Sequence, residues 1–179
     1  MIGKVVSSEE IYRGKAVSLK REEVLLPSGR KIYRECVVHR GASAIIPVKD
    51  DGKIVFVKQY RHPVGEVILE VPAGTLKPGE DPAVCASREL EEETGYVPGK
   101  LTHLLTIYPS PGYSSERLYI YLAENLRRGS QKLEVDEDIS VVELGLDEAL
   151  EAVKRNEIRD AKTIVSLLYY KLFLESAKT

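Results

Sequence analysis

The chain has 179 residues, 43% hydrophobic and 30% charged, a balance that suits one ordinary folded domain and excludes a disordered chain. With 26 Lys and Arg against 28 Asp and Glu, the formal charge of −2 excludes a chain-wide basic footprint, so no nucleic-acid partner is expected. The longest strongly apolar stretch, residues 165–174, is interrupted by Ser166 and Lys171 and is too short for a bilayer, so no membrane association is expected either.

In chain order, residues 16–26 and 31–38 predict two strands around the turn Pro27-Ser28-Gly29-Arg30. Residues 42–48 and 53–60 predict a second pair, hinged at Asp50-Asp51-Gly52. In the later strand of that pair, Ile54 and Phe56 share one face and Val55 and Val57 the other, which predicts a central strand. Residues 67–71 form a short strand ended by Pro72. The period then changes. Asp81 suits an N-cap, Pro82 the first helical position and Gly95 the residue just past the end, which predicts a helix of three to four turns. Strands follow over 101–108 and 117–123, flanking the loop Pro109–Ser115, and another over 139–144. Two helices close the chain, 147–156 and 160–175, the second with Ile164, Leu167, Leu168 and Leu172 on the face expected to pack on a sheet. The whole predicts a mixed sheet covered by helices.

The helix after Asp81 carries the chemistry. Between Glu80 and Glu93 there are six acids (Glu80, Asp81, Glu89, Glu91, Glu92, Glu93) against one base, Arg88. At about 100° per residue, Glu89, Glu92 and Glu93 share one arc, while Ala83, Ala86 and Leu90 lie on a neighbouring arc that packs inward. Like charges at this spacing destabilise a helix, so the cluster is either a solvated surface or a site for a hard divalent cation with oxygen ligands.

The spacing separates these readings. Gly74, Glu80, Arg88-Glu89-Leu90, Glu92-Glu93 and Gly95-Tyr96 resemble the Nudix hydrolase box at every defined position. The resemblance implies an α/β/α sandwich with a mixed sheet, and Mg²⁺ (Mn²⁺ as a possible substitute) held by Glu89, Glu92, Glu93 and the Ala73 carbonyl. Gly74 would permit the turn that brings that carbonyl to the metal. Arg88 would orient the glutamates, and Glu80 would support the loop. It also implies hydrolysis of a nucleoside diphosphate linked to another group, without a covalent intermediate.

Outside the box the chain resembles the ADP-ribose pyrophosphatase branch through Arg34-Glu35, His39-Arg40-Gly41, Gln59-Tyr60-Arg61, Glu70–Gly74, Pro109–Gly112, Ser115-Glu116 and Asp160-Ala161-Lys162-Thr163. Pro111, 15 residues after Tyr96, stands where that branch places a proline associated with ADP-ribose. The implied reaction yields AMP and ribose 5-phosphate. Arg61 would reach substrate phosphate, Arg34 and Glu35 would contact ADP-ribose, Glu70 would bond substrate or Arg61, and Glu116 would touch the metal-water shell or order its loop. With no Trp, an adenine partner would be Tyr12, Tyr33 or Tyr113. The base is expected among the loop acids, Glu137 first and Glu134 and Asp136 as competitors. Catalytic roles thus fall on Glu137, Glu92 and Arg88.

Two other readings compete: another nucleotide sugar or a dinucleoside polyphosphate as substrate, and a sensor that binds ADP-ribose without cleaving it. The sensor is disfavoured by the complete box. Residues 1–40 are expected to form an N-terminal β region exchanged within a homodimer, ahead of a Nudix hydrolase domain over 41–179. Two cysteines in a chain able to bury a core, and a start without the order of a secretory signal, point to a reducing cytoplasm.

Overall fold

The computed structural model describes residues 2–133, 135 and 138–175. The chain divides into two units, one of residues 1–41 and 107–118, the other of residues 42–106 and 119–179.

The first unit is a three-stranded antiparallel sheet in the order β1 (Lys4–Arg13), β2 (Ser18–Leu25), β3 (Lys31–Val38). The expected hairpin is present, with Leu25 opposite Lys31 and Ser18 opposite Val38. Its turn is closed by the Leu26 N–H donating to the Arg30 carbonyl at 2.9 Å. Strand β1 was not expected, for a physical reason. Its register shifts between Val5 and Ser7 and again between Glu10 and Tyr12, and such bulges break the alternation by which a strand is read from sequence. All ten β1 residues are exposed. The 107–118 loop is tied to the end of β3, the Val37 N–H donating to the Tyr113 carbonyl at 2.7 Å and the Ser115 N–H to the Val37 carbonyl at 3.0 Å.

The second unit holds the core. In chain order it contains β4 (Ala42–Pro47), β5 (Ile54–Arg61), β6 (Glu66–Glu70), β7 (Ala73–Thr75), α1 (Pro82–Thr94) and β8 (Tyr96–Val97). Then come β9 (Lys100–Ile107), β10 (Leu118–Glu124), β11 (Arg127–Arg128), β12 (Ile139–Leu144), α2 (Leu146–Lys154) and α3 (Ala161–Tyr169). One sheet runs β7-β4-β10-β9, a second β12-β5-β6 with β5 central as expected, and β11 pairs with β8. All six residues of β4 are buried, so both of its faces are covered. On one face Ile45 packs with Ala86 and Leu90 of α1 together with Val55, Tyr121 and Ala123. Helix α3 also packs on β4, and α2 packs on α3. The architecture is therefore the expected α/β class with helices laid on sheets. Among the described residues no helix is long and apolar enough to cross a membrane.

Two expectations are corrected. The last helix changes character, α-helical to Tyr169 and π-helical over Tyr170–Glu175. Its inward face is also rotated. Thr163, Ser166, Leu167 and Tyr170 are buried, while Leu168 and Leu172 are exposed. The cause is polar. The Thr163 hydroxyl accepts from the Val71 N–H at 2.9 Å, and the Ser166 hydroxyl donates back to the Lys162 carbonyl at 2.7 Å. Both hydroxyls are therefore satisfied indoors, and hydrophobicity alone does not set the helix's rotation.

Candidate active site

Helix α1 forms where its signals place it. The Asp81 carboxylate accepts from the Ala83 N–H at 2.8 Å, and Pro82 occupies the first turn. Gly95 adopts φ 71°, the left-handed conformation that ends helices, with its N–H donating to the Glu91 carbonyl at 2.8 Å. Packing of Ala86 and Leu90 into the core sets the rotation of the helix and carries the acidic arc inward with it. Glu89 is only 8% exposed and Glu93 only 2%, which rules out a simple solvated face for these two.

Four contacts tie the flanking segments to this arc. The Glu93 carboxylate accepts from the Ala73 N–H at 3.2 Å, fixing the β7 peptide beside it. Gly74 stands against Glu89 so closely that a Cβ there would collide with the carboxylate. Its backbone is not in the left-handed region, so glycine is required here for space rather than for a turn. Beyond the helix, the Lys132 N–H donates to the Glu92 carbonyl at 2.9 Å and the Gln131 amide to the Glu93 carbonyl at 2.7 Å. Sequence reading had no signal for these last two bonds, because they join a loop to backbone carbonyls.

Arg88 organises the acids. Its Nε and one terminal nitrogen meet both oxygens of Glu80 at 2.9 and 3.0 Å, and the other terminal nitrogen reaches Glu89 at 2.6 Å and Glu92 at 2.8 Å. The Arg88 hydrogen bonds and the Lys77 N–H hold the Glu80 carboxyl down to about 2, and the acids in turn raise the guanidinium further above its ordinary range. Beneath them the Cys85 thiol is pushed up to about 12, first by burial and then by the charges of Glu89 and Glu80.

One cation therefore serves three acids, and two further features bear on whether the site fits a divalent ion. Glu89 and Glu93 are hard oxygen donors taken out of water on one helical face, and Gly74 leaves the room that Glu89 needs. Among the described residues no three acidic, imidazole or thiol groups already converge on a point, since Glu89 and Glu92 both turn to Arg88. The donor set fits Mg²⁺, which prefers carboxylate and carbonyl oxygen and keeps part of its water shell.

Arg61 lies at the end of β5. Its Nε donates to the Glu70 carboxylate at 2.7 Å; burial lowers its pKa, but Glu70, with smaller help from Glu93 and Asp160, raises it overall. Glu70 is 1% exposed, pairs with Arg61, one of the two partners expected for it, and has Lys162 on its other oxygen. Lys162 also reaches Asp160 at 3.0 Å, and Asp160 caps α3 by accepting from the Thr163 N–H at 3.0 Å. The role of Lys162 was not read from sequence, because 92 residues separate it from Glu70.

In the first unit, Arg34 and Glu35 are exposed on β3 and Pro111 is exposed in the 107–118 loop. Glu116 lies 3.8 Å from the His39 ring, and its N–H donates to the Ser114 hydroxyl at 3.2 Å. Glu134, Asp136 and Glu137 lie outside the described residues.

Known proteins align with this arrangement. The chain is 45% identical to the ADP-ribose pyrophosphatase of Bacillus subtilis (strain 168), over 94% of this chain and 92% of that protein. It is 42% identical to the methanol dehydrogenase activator of Bacillus methanolicus over the same shares. A crystal structure of an ADP compounds hydrolase superposes with a TM-score of 0.85 over 99% of this chain and 96% of that one, at 20% identity, a likeness of fold. The NUDIX domain matches residues 38–167, which include β4, the whole box and Arg61, and the chain belongs to the NUDIX hydrolase family.

Proposed function

We propose that this enzyme hydrolyses the pyrophosphate of ADP-ribose to AMP and ribose 5-phosphate with Mg²⁺, Mn²⁺ serving as a substitute. The observation that carries this reading is the box itself. Its acids are drawn inward on α1 and organised by Arg88, in a chain 45% identical to a protein named for that activity. Glu89, Glu92, Glu93 and the Ala73 carbonyl would hold the cation. When bound, it supplies neutralisation of pyrophosphate oxygens and a more acidic water. Arg88 keeps the carboxylates in place, and the Ala73–Glu93 bond keeps the β7 peptide in register with them. Arg61 would bind phosphate through its terminal nitrogens, a use that suits a planar guanidinium.

On sequence grounds Arg34, Glu35, Pro111 and Glu116 are assigned to substrate and Glu137 to proton abstraction. The Gln131 and Lys132 contacts with α1 support a role for the loop that follows them. A homodimer is proposed as well. Val5, Val6, Ile11 and Tyr12 are 42–60% exposed on β1, apolar area that a second copy would cover. Both cysteines are free thiols, which supports a reducing cytoplasm.

The test is phosphate release, coupled to a phosphatase, across a panel of ADP-sugars, GDP-mannose and dinucleoside polyphosphates with Mg²⁺. Highest kcat/KM on ADP-ribose supports the reading. A preference for GDP-mannose or a dinucleotide replaces the substrate, and tight binding of ADP-ribose without turnover makes the chain a sensor. Light scattering tests the dimer, and full activity in a monomer would dispose of it.

A further inference from the structure

The second unit contains a charged chain of which the reaction as described uses only Arg61: Arg61, Glu70, Lys162 and Asp160, two cations alternating with two acids. Glu70 is the link, with 1% of its side chain exposed, one oxygen on Arg61 Nε at 2.7 Å and the other on Lys162 Nζ. A carboxylate and a guanidinium left to themselves form a two-bond fork, because their planes and spacings match. Here the fork is not made. Arg61 uses Nε alone on Glu70, and among the described residues neither terminal nitrogen has a hydrogen bond. The reason is on the other oxygen, which Lys162 occupies. Lys162 is in turn held by Asp160, and Asp160 is fixed as the N-cap of α3 by bonds from the Thr163 N–H at 3.0 Å and the Thr163 hydroxyl at 2.6 Å. Thr163 accepts from the Val71 N–H at 2.9 Å, which anchors this turn of α3 next to Glu70 itself.

We propose that Lys162 is a positioning residue for substrate phosphate: by holding the second oxygen of Glu70 it limits the Glu70–Arg61 pair to one bond and keeps the terminal guanidinium nitrogens of Arg61 available. Without Lys162, Glu70 turns both oxygens to Arg61, closes the fork and withdraws the arginine from substrate. Asp160 contributes by keeping Lys162 on Glu70. The inference rests on the reading of Arg61 as a phosphate contact, and the variants below separate the two.

Steady-state kinetics on ADP-ribose with Mg²⁺ are measured for Arg61→Ala, Lys162→Met, Lys162→Arg and the double variant Arg61→Ala/Lys162→Met. Thermal melting accompanies each to establish folding. The expected result is that Lys162→Met raises KM about tenfold with a smaller change in kcat, the signature of lost substrate binding. Lys162→Arg, which still donates to Glu70, stays within about threefold of wild type. In the Arg61→Ala background Lys162→Met has no further effect on KM, because the residue it positions is gone. If Arg61→Ala leaves KM unchanged, the reading of Arg61 is wrong and the proposal goes with it. If Arg61→Ala raises KM but Lys162→Met does not, or if the two effects multiply, the Arg61 reading stands and the positioning role of Lys162 is overturned. Should Lys162→Met not fold, the comparison is made with Lys162→Gln, which keeps a polar head and removes the charge.

Discussion

Two buried groups of charge lie in the second unit, and they are built on opposite plans. At α1, Glu80 just ahead of the helix and Glu89 and Glu92 on it share the single guanidinium of Arg88, and Glu93 stands beside them on a backbone N–H. Between β6 and α3, Arg61, Glu70, Lys162 and Asp160 alternate in sign and cancel. An excess of acid that has been drawn out of water is costly unless a cation joins it, whereas a balanced chain is complete as it stands. The first is an arrangement for receiving something, the second for holding something still.

The comparison breaks most visibly at Glu93. Glu93→Gln is expected to lower kcat about a thousandfold, the equivalent of several kcal/mol, because it removes a donor proposed for the cation. Assay of the purified, folded variant decides, and a wild-type rate would end the metal assignment. Next in size, Gly74→Ala should cost about ten- to a hundredfold in turnover, since the added methyl displaces the Glu89 carboxylate from its place. Mn²⁺ titration followed by electron paramagnetic resonance would show weakened binding in the same variant.

A sharper form of the contrast is thermal. At about 100 times its Kd, Mg²⁺ should raise the melting temperature of wild type by roughly 5–10 °C over protein in EDTA, and this gain should vanish in Glu93→Gln. Lys162→Arg, altered only in the balanced chain, should keep it. The smallest effect is on pH. The folded Glu80 carboxyl is held down to about 2, below its ordinary 4.5. Its contribution to stability is therefore fully present above about 4.5 and is lost as pH falls from there toward 2. In EDTA, wild type should melt higher than Glu80→Gln at pH 7, and the gap should close across that window. A gap that is constant with pH would contradict the pairing.

What sequence could disclose follows from how local each cause is. Helix α1 was legible because Asp81, Pro82 and Gly95 act within a few residues of themselves, and the central place of β5 was legible because its alternation covers both faces. β7 is three residues long, too short to announce a period, and β1 is disguised by two bulges. The rotation of α3 is hidden from a hydrophobicity argument because Thr163 and Ser166 count as polar in it, yet each finds a backbone partner indoors. In the candidate site, the spacing of the box identified Glu89, Glu92, Glu93 and Arg88 as a set. The same spacing could not reveal that Gly74 is small for the sake of Glu89, or that Glu70 faces a lysine from the far end of the chain.

The contact between Gly74 and Glu89 has a consequence for what a sequence motif is. Read along the chain, the box is a string of letters at fixed intervals. Read in space, its intervals are meetings: 74 with 89, 80 with 88, and, from the residue just ahead of the box, 73 with 93. The pattern is a contact map flattened into one dimension, and its letters do not vary independently. Redesign of substrate preference must leave those meetings intact and draw its freedom from residues outside the map, of which the chain has many.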